Sequence, residues 1–327
     1  MPEPCDINDA SPPTLDHVIG NERAVRQIRT ALDAYFNDRA SGRCNGQTPA
    51  FPHTLLVGPP GVGKSLFASL IASELGTTLH QELAQNLPTP MHLHGLMMLP
   101  ENEDVVFVDE VHELPPMAQT TLYRALEDRR VFLPTRNGDR QTIDLPKFTF
   151  IGATTDEWTL SKPLRDRFKL ILRLEHYSLP DMWKLVVQRC TRLGWYIEAD
   201  AITGIAERAR GIPRLAMRLL DATWRTVRAA GGNSITAEHL RRTCEIEQID
   251  EMGLDPLERT YLKILQESPG AVRLNVIATQ VGLPRMTIER VVESELIRIG
   301  LVTKDDAGRM LTAKGREYLS RSEVSGS

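Results

Sequence analysis

The sequence is short of several things, and each shortage excludes something. Aromatic residues make up only 6% of it, and the four cysteines, Cys5, Cys44, Cys190 and Cys244, lie far apart with no CxxC pair and no neighbouring His cluster. That spacing argues against a zinc site and reads as reduced thiols. No apolar run approaches the ~18 residues of a membrane span. An excess of one charge is also lacking: 39 Lys and Arg against 43 Asp and Glu give a net charge of −4. No global basic field therefore draws the chain to nucleic acid or anionic lipid, and any DNA affinity must come from a local patch. The stretch from Met1 to Gly20 holds acidic residues and prolines but no basic-then-apolar leader, so a soluble, cytoplasmic protein without membrane contact is expected.

What is present is an ordinary globular composition, 41% hydrophobic and 25% charged over 327 residues, enough for two or three compact units. No fixed-period repeat is visible. Pro2 to Pro13 and Ser320 to Ser327 read as frayed ends, and Asp38 to Pro52 as an exposed loop. From Thr54 to Leu174 short apolar runs alternate with helical patterns. The runs His53–Val57, Val105–Val108, Phe148–Ala153 and Leu170–Leu174 are apolar on both faces, which fits strands buried in a parallel sheet with helices on either side, an α/β doubly wound fold. Between Arg129 and Leu145, Asn137-Gly138 separates two extended arms, predicting a hairpin that projects from the sheet.

After Tyr177 the strand pattern stops and helices are predicted over Leu179–Leu193, Asp200–Arg210, Pro213–Ala229 and Ala237–Ile246. From Asp255 the order is helix to Glu267, helix Leu274–Val281, a break at Gly282-Leu283-Pro284, helix Met286–Ile299, and two short strands, Leu301–Lys304 and Arg309–Leu311. That order describes a winged helix-turn-helix. The predicted units are residues 1–176, an α/β domain; 177–252, an all-helical domain; and 253–327, the winged helix.

Gly58-Pro59-Pro60-Gly61-Val62-Gly63-Lys64-Ser65 satisfies GxxxxGK[ST] between a strand and a helix. Glycines let backbone N–H groups turn inward around phosphate oxygens, and the helix N-terminus adds positive potential. Lys64 would neutralise the β- and γ-phosphates and the Ser65 hydroxyl would ligate Mg²⁺, making ATP and Mg²⁺ the expected cofactors. The second run ends in Asp109-Glu110 at the crevice end of a parallel strand, where Asp109 can hold Mg²⁺ through water and Glu110 can orient the attacking water. Two acids opening a helix would look the same, and the P-loop upstream favours chemistry. The FTFIGATT strand (148–155) ends in two hydroxyls, of which Thr155 is the better candidate for the γ-phosphate or the lytic water. Arg165, Arg167 and Arg214 offer guanidinium groups suited to charge on a transferring phosphoryl group, although an Arg is more often a solvated surface residue.

In the winged unit Arg285, Arg290 and Arg298 on the third helix and Lys304 and Arg309 on the wing face candidate phosphates. Asp305, Asp306, Glu289, Glu293 and Glu295 oppose them, and 11 Lys and Arg against 10 Asp and Glu over 255–327 leave +1, a weak footprint for DNA.

Taken in order, LDHVIGN (15–21), GPPGVGKS, VDEVH, the hairpin, FIGATT, LSKPLRDRF, RGIPRLAMRLL and TIERVVESELIRIGLV resemble the AAA+ ATPases and, within them, the RuvB family of Holliday junction branch-migration motors, over about Leu15 to Tyr318. The resemblance implies an adenine site lined by Ile19 and Tyr177, Thr155 as sensor 1, Arg167 as an arginine finger acting in trans, and Arg214 as sensor 2. It also implies an AAA+ domain, a helical lid and a winged helix, a homo-oligomeric hexamer ring, four-way junction DNA, and RuvA as a possible partner. The sequence departs from the family in an uncharged Ser11-Pro12-Pro13-Thr14, an unusual 84–98 segment, a shorter hairpin that leaves RuvA docking open, and a less basic wing. An ATP-hydrolysing DNA motor for recombination and repair is the main expectation. A divergent paralogue in another DNA transaction and a nucleotide-sensing DNA-binding regulator are the alternatives. A protein unfolder fits less well, since Leu93-His94-Gly95 lacks a pore aromatic.

Overall fold

The computed structural model describes Ile7 and residues 10–41, 50–134 and 140–325. By its internal contacts the chain divides into two compact units, Met1–Ile235 and Thr236–Ser327.

In the first unit α1 (Glu22–Ser41), β1 (Thr54–Val57), α2 (Lys64–Leu75), β2 (Leu79–Leu83), α3 (Pro90–Met97), β3 (Val105–Asp109) and α4 (Pro116–Asp128) are followed by β4 (Arg130–Pro134) and β5 (Arg140–Asp144), then β6 (Thr149–Thr154), α5 (Lys162–Arg165) and β7 (Leu170–Arg173). The main sheet has five parallel strands in the order β2-β3-β6-β1-β7. Successive side chains of a strand point to opposite faces, and the core divides accordingly. Leu55, Val106, Val108 and Phe150 pack with residues of α3 and α4 on one face, whereas Leu56, Val105, Phe107 and Ile151 pack with α1 and α2 on the other. On α1 the buried residues Val25, Ile28, Leu32 and Tyr35 recur every three or four positions, one stripe of a helix.

The edge strand β2 is absent from the sequence reading because LHQEL has only a half-buried face and carries His80, Gln81 and Glu82, so its apolar run is too short to signal a strand. What fixes it is Asp104. This carboxylate accepts hydrogen bonds from the backbone N–H groups of Thr78 (3.2 Å) and Glu101 (2.9 Å), and pairs with His80 Nε2 at 3.0 Å, pinning the start of β2 to that of β3. The hairpin β4–β5 forms a separate two-stranded sheet, as expected, while its Asn137-Gly138 turn lies outside the described residues.

The first unit continues with α6 (Leu179–Leu193), β8 (Tyr196–Ile197), α7 (Ala199–Arg208), α8 (Pro213–Ala229) and β9 (Ser234–Ile235). The expectation that strands end at Tyr177 needs correction: β8 and β9 pair in parallel, two residues each, too short to show a period in sequence. Ser178 caps α6 by accepting from Asp181 N at 3.2 Å.

The second unit opens with α9 (Ala237–Glu247), α10 (Pro256–Gln266) and α11 (Leu274–Val281). A helix over 285–298 follows, with a wide turn at Ile288–Glu293, then the antiparallel strands β10 (Val302–Lys304) and β11 (Arg309–Leu311), and a helix Ala313–Ser325. That last helix corrects the frayed tail expected from Ser320. Leu254, Tyr261, Leu262, Ile277, Ile288, Val292 and Leu296 form the core of this unit. Cys190 and Cys244 are buried and in no disulfide among the described residues, and Cys5 and Cys44 lie outside those residues. Among the described residues no helix is long and apolar enough to cross a membrane, and no cluster of three potential metal ligands occurs.

Just before β1, the imidazole of His53 enters the sheet layer, where its Nδ1 accepts the backbone N–H of Phe150 at 3.0 Å. Burial, assisted by the nearby charges of Arg129 and Lys169, lowers its pKa to about 4. The folded state therefore resists a proton that the unfolded chain takes up near pH 6.5, so this contribution to stability is intact above about pH 6.5 and is lost as pH falls towards 4. His53→Asn keeps an acceptor but cannot titrate. We expect wild-type stability to drop relative to the variant by up to ~3 kcal/mol between pH 7 and 4 in urea melts. Parallel pH curves for the two proteins would refute this.

Candidate functional site

The loop 58–63 joins β1 to α2, and its bends depend on particular residues. Gly61 has φ +78°, and a Cβ there would lie 2.9 Å from Ile212 Cγ2 and 3.0 Å from Arg214 Cβ. Only glycine suits both the conformation and the contact. Across this gap the backbone N–H of Arg214 donates to Gly61 O at 3.3 Å, so the start of α8 rests directly on the loop. At the loop's far end Lys64 opens α2 and is only 6% exposed, and its Nζ donates to Gly58 O (2.9 Å) and Pro59 O (3.1 Å). Burial lowers its pKa, opposed by the carboxylates of Glu110 and Asp109 and reinforced by Arg214. Four of the expected site residues thus share one electrostatic environment. Val62 is fully buried in the core beneath the loop, and Gly63, at φ +103°, leads into α2.

The parallel order places β1, β3 and β6 side by side with their C-terminal ends at one edge, the usual position of a nucleotide crevice. Ser65 Oγ donates to Asp109 Oδ2 at 3.1 Å, which joins the first turn of α2 to the end of β3. A hydroxyl and a carboxylate converging in this way suit a hard divalent cation. Glu110 follows in the left-handed conformation (φ +49°), which turns the chain sharply after the strand, and its side chain is partly exposed. At the end of β6, Thr154 is fully buried, its Oγ1 3.1 Å from His112 Nδ1 and accepting from Asp156 N at 3.0 Å. Thr155 is exposed immediately beyond it.

Next to Ile19, Gly20 packs on the other adenine candidate, Tyr177. Gly20 has φ +71°, and a Cβ on it would lie 3.0 Å from two ring carbons of Tyr177. Tyr177 itself is 9% exposed and donates its backbone N–H to Gly211 O at 2.9 Å, while Ile19 is half-buried next to Gly20. Asn21 completes the junction by accepting Glu175 N at 2.8 Å, a contact that the sequence pattern does not announce. Arg167 stands apart from this group, ion-paired with Glu127 of α4 at 2.7 Å, and Arg165 lies over the exposed ring of Trp158 at 4.8 Å. Residues missed by sequence reasoning are Ile212 and Asn21, whose roles are contacts, and His112, whose motif VDEVH is visible but whose partners are distant in sequence.

In the second unit Arg298, one of the five DNA candidates, pairs with Glu295 of its own helix at 3.0 Å, and the other four divide into two pairs. Arg285 and Arg290 are exposed. Arg309, in contrast, grips Glu293 with Nε–Oε2 at 2.7 Å and a second bond at 3.1 Å, and Lys304 Nζ reaches Glu289 at 2.9 Å and Glu293 at 3.2 Å. Glu293 is 2% exposed and also accepts from Tyr261 OH at 3.1 Å. Burial disfavours its ionised form, but hydrogen bonds from Arg309 and Lys304 outweigh burial and lower its pKa. Arg309, only 11% exposed, is therefore directed inward, which departs from its expected presentation to phosphate because the buried carboxylate would be costly without it, whereas Lys304 is ion-paired with the same carboxylates but stays 42% exposed.

Three family models match consecutive parts of the chain: the P-loop domain of the Holliday junction DNA helicase RuvB over residues 11–174, the RuvB AAA lid domain over 177–250, and the RuvB C-terminal winged helix domain over 251–320. The chain is 38% identical over 332 residues to the Holliday junction branch migration complex subunit RuvB of Prochlorococcus marinus (strain MIT 9303), covering 97% of this chain and 94% of that relative. It is 39% identical over 281 residues to the same subunit of Synechococcus sp. (strain WH7803), covering 84% of this chain and 77% of the relative. The solved structure of the Thermotoga maritima RuvB Holliday junction branch migration motor superimposes with a TM-score of 0.82 at 32% identity, over 95% of this chain and 98% of that one.

The contact of Gly61 with Ile212 and Arg214 yields a direct test. Gly61→Ala adds a Cβ at a positive φ and against α8, at a cost of ~1–3 kcal/mol. We expect ATP affinity to fall about tenfold or more in a fluorescence titration. Unchanged affinity would show that the loop does not need this close approach.

Proposed function

Because the chain belongs to the RuvB family of AAA+ P-loop ATPases, we propose that it acts as an ATP-driven translocase, assembled as a homo-hexameric ring in the cytoplasm, that drives branch migration of four-way DNA junctions in recombination and repair. The observation that carries this reading is the convergence of Lys64, Ser65, Asp109 and Glu110 at one sheet edge with Arg214 held over the same loop. Residues 1–176 serve as the ATPase domain, 177–252 as the lid and 253–327 as the DNA-binding winged helix.

In this reading the backbone of Gly58 to Gly63 cradles the phosphates, and Lys64 supplies fixed positive charge to the β- and γ-oxygens. Mg²⁺, held by Ser65 and by Asp109 through water, neutralises charge on the phosphates. Glu110 aligns the attacking water and Thr155 contacts the γ-phosphate or that water. Ile19 and Tyr177 bind adenine. Arg167 acts in trans on the neighbouring subunit's nucleotide, and its accessible ion pair with Glu127 can be exchanged for phosphate. Arg214 reports the state of the nucleotide to α8, so hydrolysis alters the lid and, through it, the DNA-bound unit. The relatives are described as subunits of a branch migration complex, which supports a junction-binding partner such as RuvA. The hairpin, with Phe132 exposed, supplies a surface for it.

Lys64→Ala is expected to abolish hydrolysis, and Arg167→Ala to lower it by ~10³-fold or more. Mixed together they should regain activity, because some interfaces then pair an intact P-loop with an intact finger. Absence of recovery in demonstrably mixed rings would remove Arg167 from the neighbouring site.

For DNA, Arg285 and Arg290 supply the exposed cations, so each subunit binds weakly and the ring supplies avidity. Replacing either by Ala should reduce the slope of log affinity against log salt by ~0.9 per subunit contact without altering thermal stability. Arg309→Ala should instead destabilise the domain by ~3–5 kcal/mol, since Glu293 would stay buried without its bidentate partner. Paired melting and salt-titration curves separate the two roles, and an unaltered melt for Arg309→Ala would contradict the inward assignment.

A further inference from the structure

His112 lies in the short turn Val111–Glu113 that follows β3, with its side chain 12% exposed. Its Nδ1 stands 3.3 Å from Glu110 Oε2 and 3.1 Å from Thr154 Oγ1. Glu110 Oε2 is buried, and among the described residues it makes no hydrogen bond of good geometry. The Glu110 backbone is already committed, its N–H donating to Asp109 Oδ1 at 2.9 Å and its carbonyl accepting from Glu113 N at 2.8 Å. An ionised carboxylate only accepts, so the approach of Nδ1 is attractive only in the tautomer that carries a proton there. In that tautomer Nδ1 faces both Glu110 Oε2 at the end of β3 and Thr154 Oγ1 at the end of β6, and Thr154 Oγ1 also accepts the N–H of Asp156. Val111 secures the same junction by packing on Gly152 of β6, where a Cβ would lie 3.2 Å from its methyl group.

We propose that His112 is a positioning residue for hydrolysis: its Nδ1 proton holds the Glu110 carboxylate in a fixed rotamer and ties it to the strand end from which Thr155 projects. The proposal rests on the reading of Glu110 as the residue that aligns water. On that reading, a carboxylate without this link would swing between rotamers, and a small misplacement of a water-aligning group is costly in rate. ATP binding would be unaffected, because the cradle residues 58–65 do not depend on His112.

The test is steady-state ATP hydrolysis by the full chain with a four-way junction present, comparing wild type, His112→Ala, His112→Asn, Glu110→Gln and the double variant Glu110→Gln with His112→Ala. We expect His112→Ala to lower kcat ~10- to 100-fold while KM for ATP stays within about twofold. His112→Asn, which keeps an N–H near the Nδ1 position, should recover most of the rate. In single-turnover assays on the Glu110→Gln background, His112→Ala should cause no further loss, because the group it positions is already gone. Wild-type kcat in His112→Ala, equal losses in the Ala and Asn variants, or an additive loss in the double variant would each overturn the proposal while leaving Glu110 in its role. Normal turnover by Glu110→Gln would instead remove the reading on which the proposal stands, and the proposal with it.

Discussion

The backbone N–H of Arg214 meets the carbonyl of Gly61 at 3.3 Å, in a space that a single methyl group would fill. Through this contact the helical region after Tyr177 presses on the phosphate loop without any intervening linker. The loop and the start of α8 must move together or separate, since a packed contact of this kind has discrete arrangements rather than a continuous range. The same region holds Tyr177, which backs Gly20 on one side and binds Gly211 on the other. Gly20 and Gly61 are therefore both packed against residues 177–214.

Charge within the crevice is balanced locally. Lys64 is buried, which by itself disfavours its ammonium form, and Asp109 and Glu110 oppose that tendency while Arg214 adds to it. A nucleotide phosphate would add the negative charge this arrangement favours, in a site of low dielectric where such interactions are strong. The carboxylates are presented from a strand end rather than from a loop. Asp109 closes β3, and the left-handed turn at Glu110 directs the next side chain away from the strand axis. His112 and Thr154 then join β3 to β6 through side chains, beyond the point where the backbone ladder ends.

The winged unit follows a different electrostatic logic. Its most basic strand pair is tied to Glu289 and Glu293, and the cluster of Arg309, Lys304 and Tyr261 around a buried carboxylate fixes the wing against the helix 285–298. Cations used in this way give a defined geometry to the domain and contribute little to attraction of phosphate. A net charge of +1 over 255–327 leaves the unit without a strong electrostatic footprint for phosphate.

Local pattern in the amino-acid sequence determined the larger features. The apolar runs announced β1, β3, β6 and β7, the glycines and Lys64-Ser65 announced the loop and helix between them, and Pro213 and Gly231-Gly232 marked the ends of α8. These are legible because each depends on neighbours within a few residues. Strand β2, the paired β8 and β9, and the closing helix Ala313–Ser325 were not legible, since their residues are half-polar and are held by partners far along the chain, as His80 is by Asp104. The same division runs through the site. Residue type alone marked Lys64, Ser65, Asp109 and Glu110, because their chemistry requires those groups at that spacing. That His112 stands within 3.3 Å of Glu110 and 3.1 Å of Thr154, that Gly61 admits Arg214, and that Arg309 turns inward to Glu293 were decided only by the tertiary structure. A side chain's direction is set by the desolvation and packing of groups brought together from separate strands and helices, and no local sequence pattern encodes that meeting.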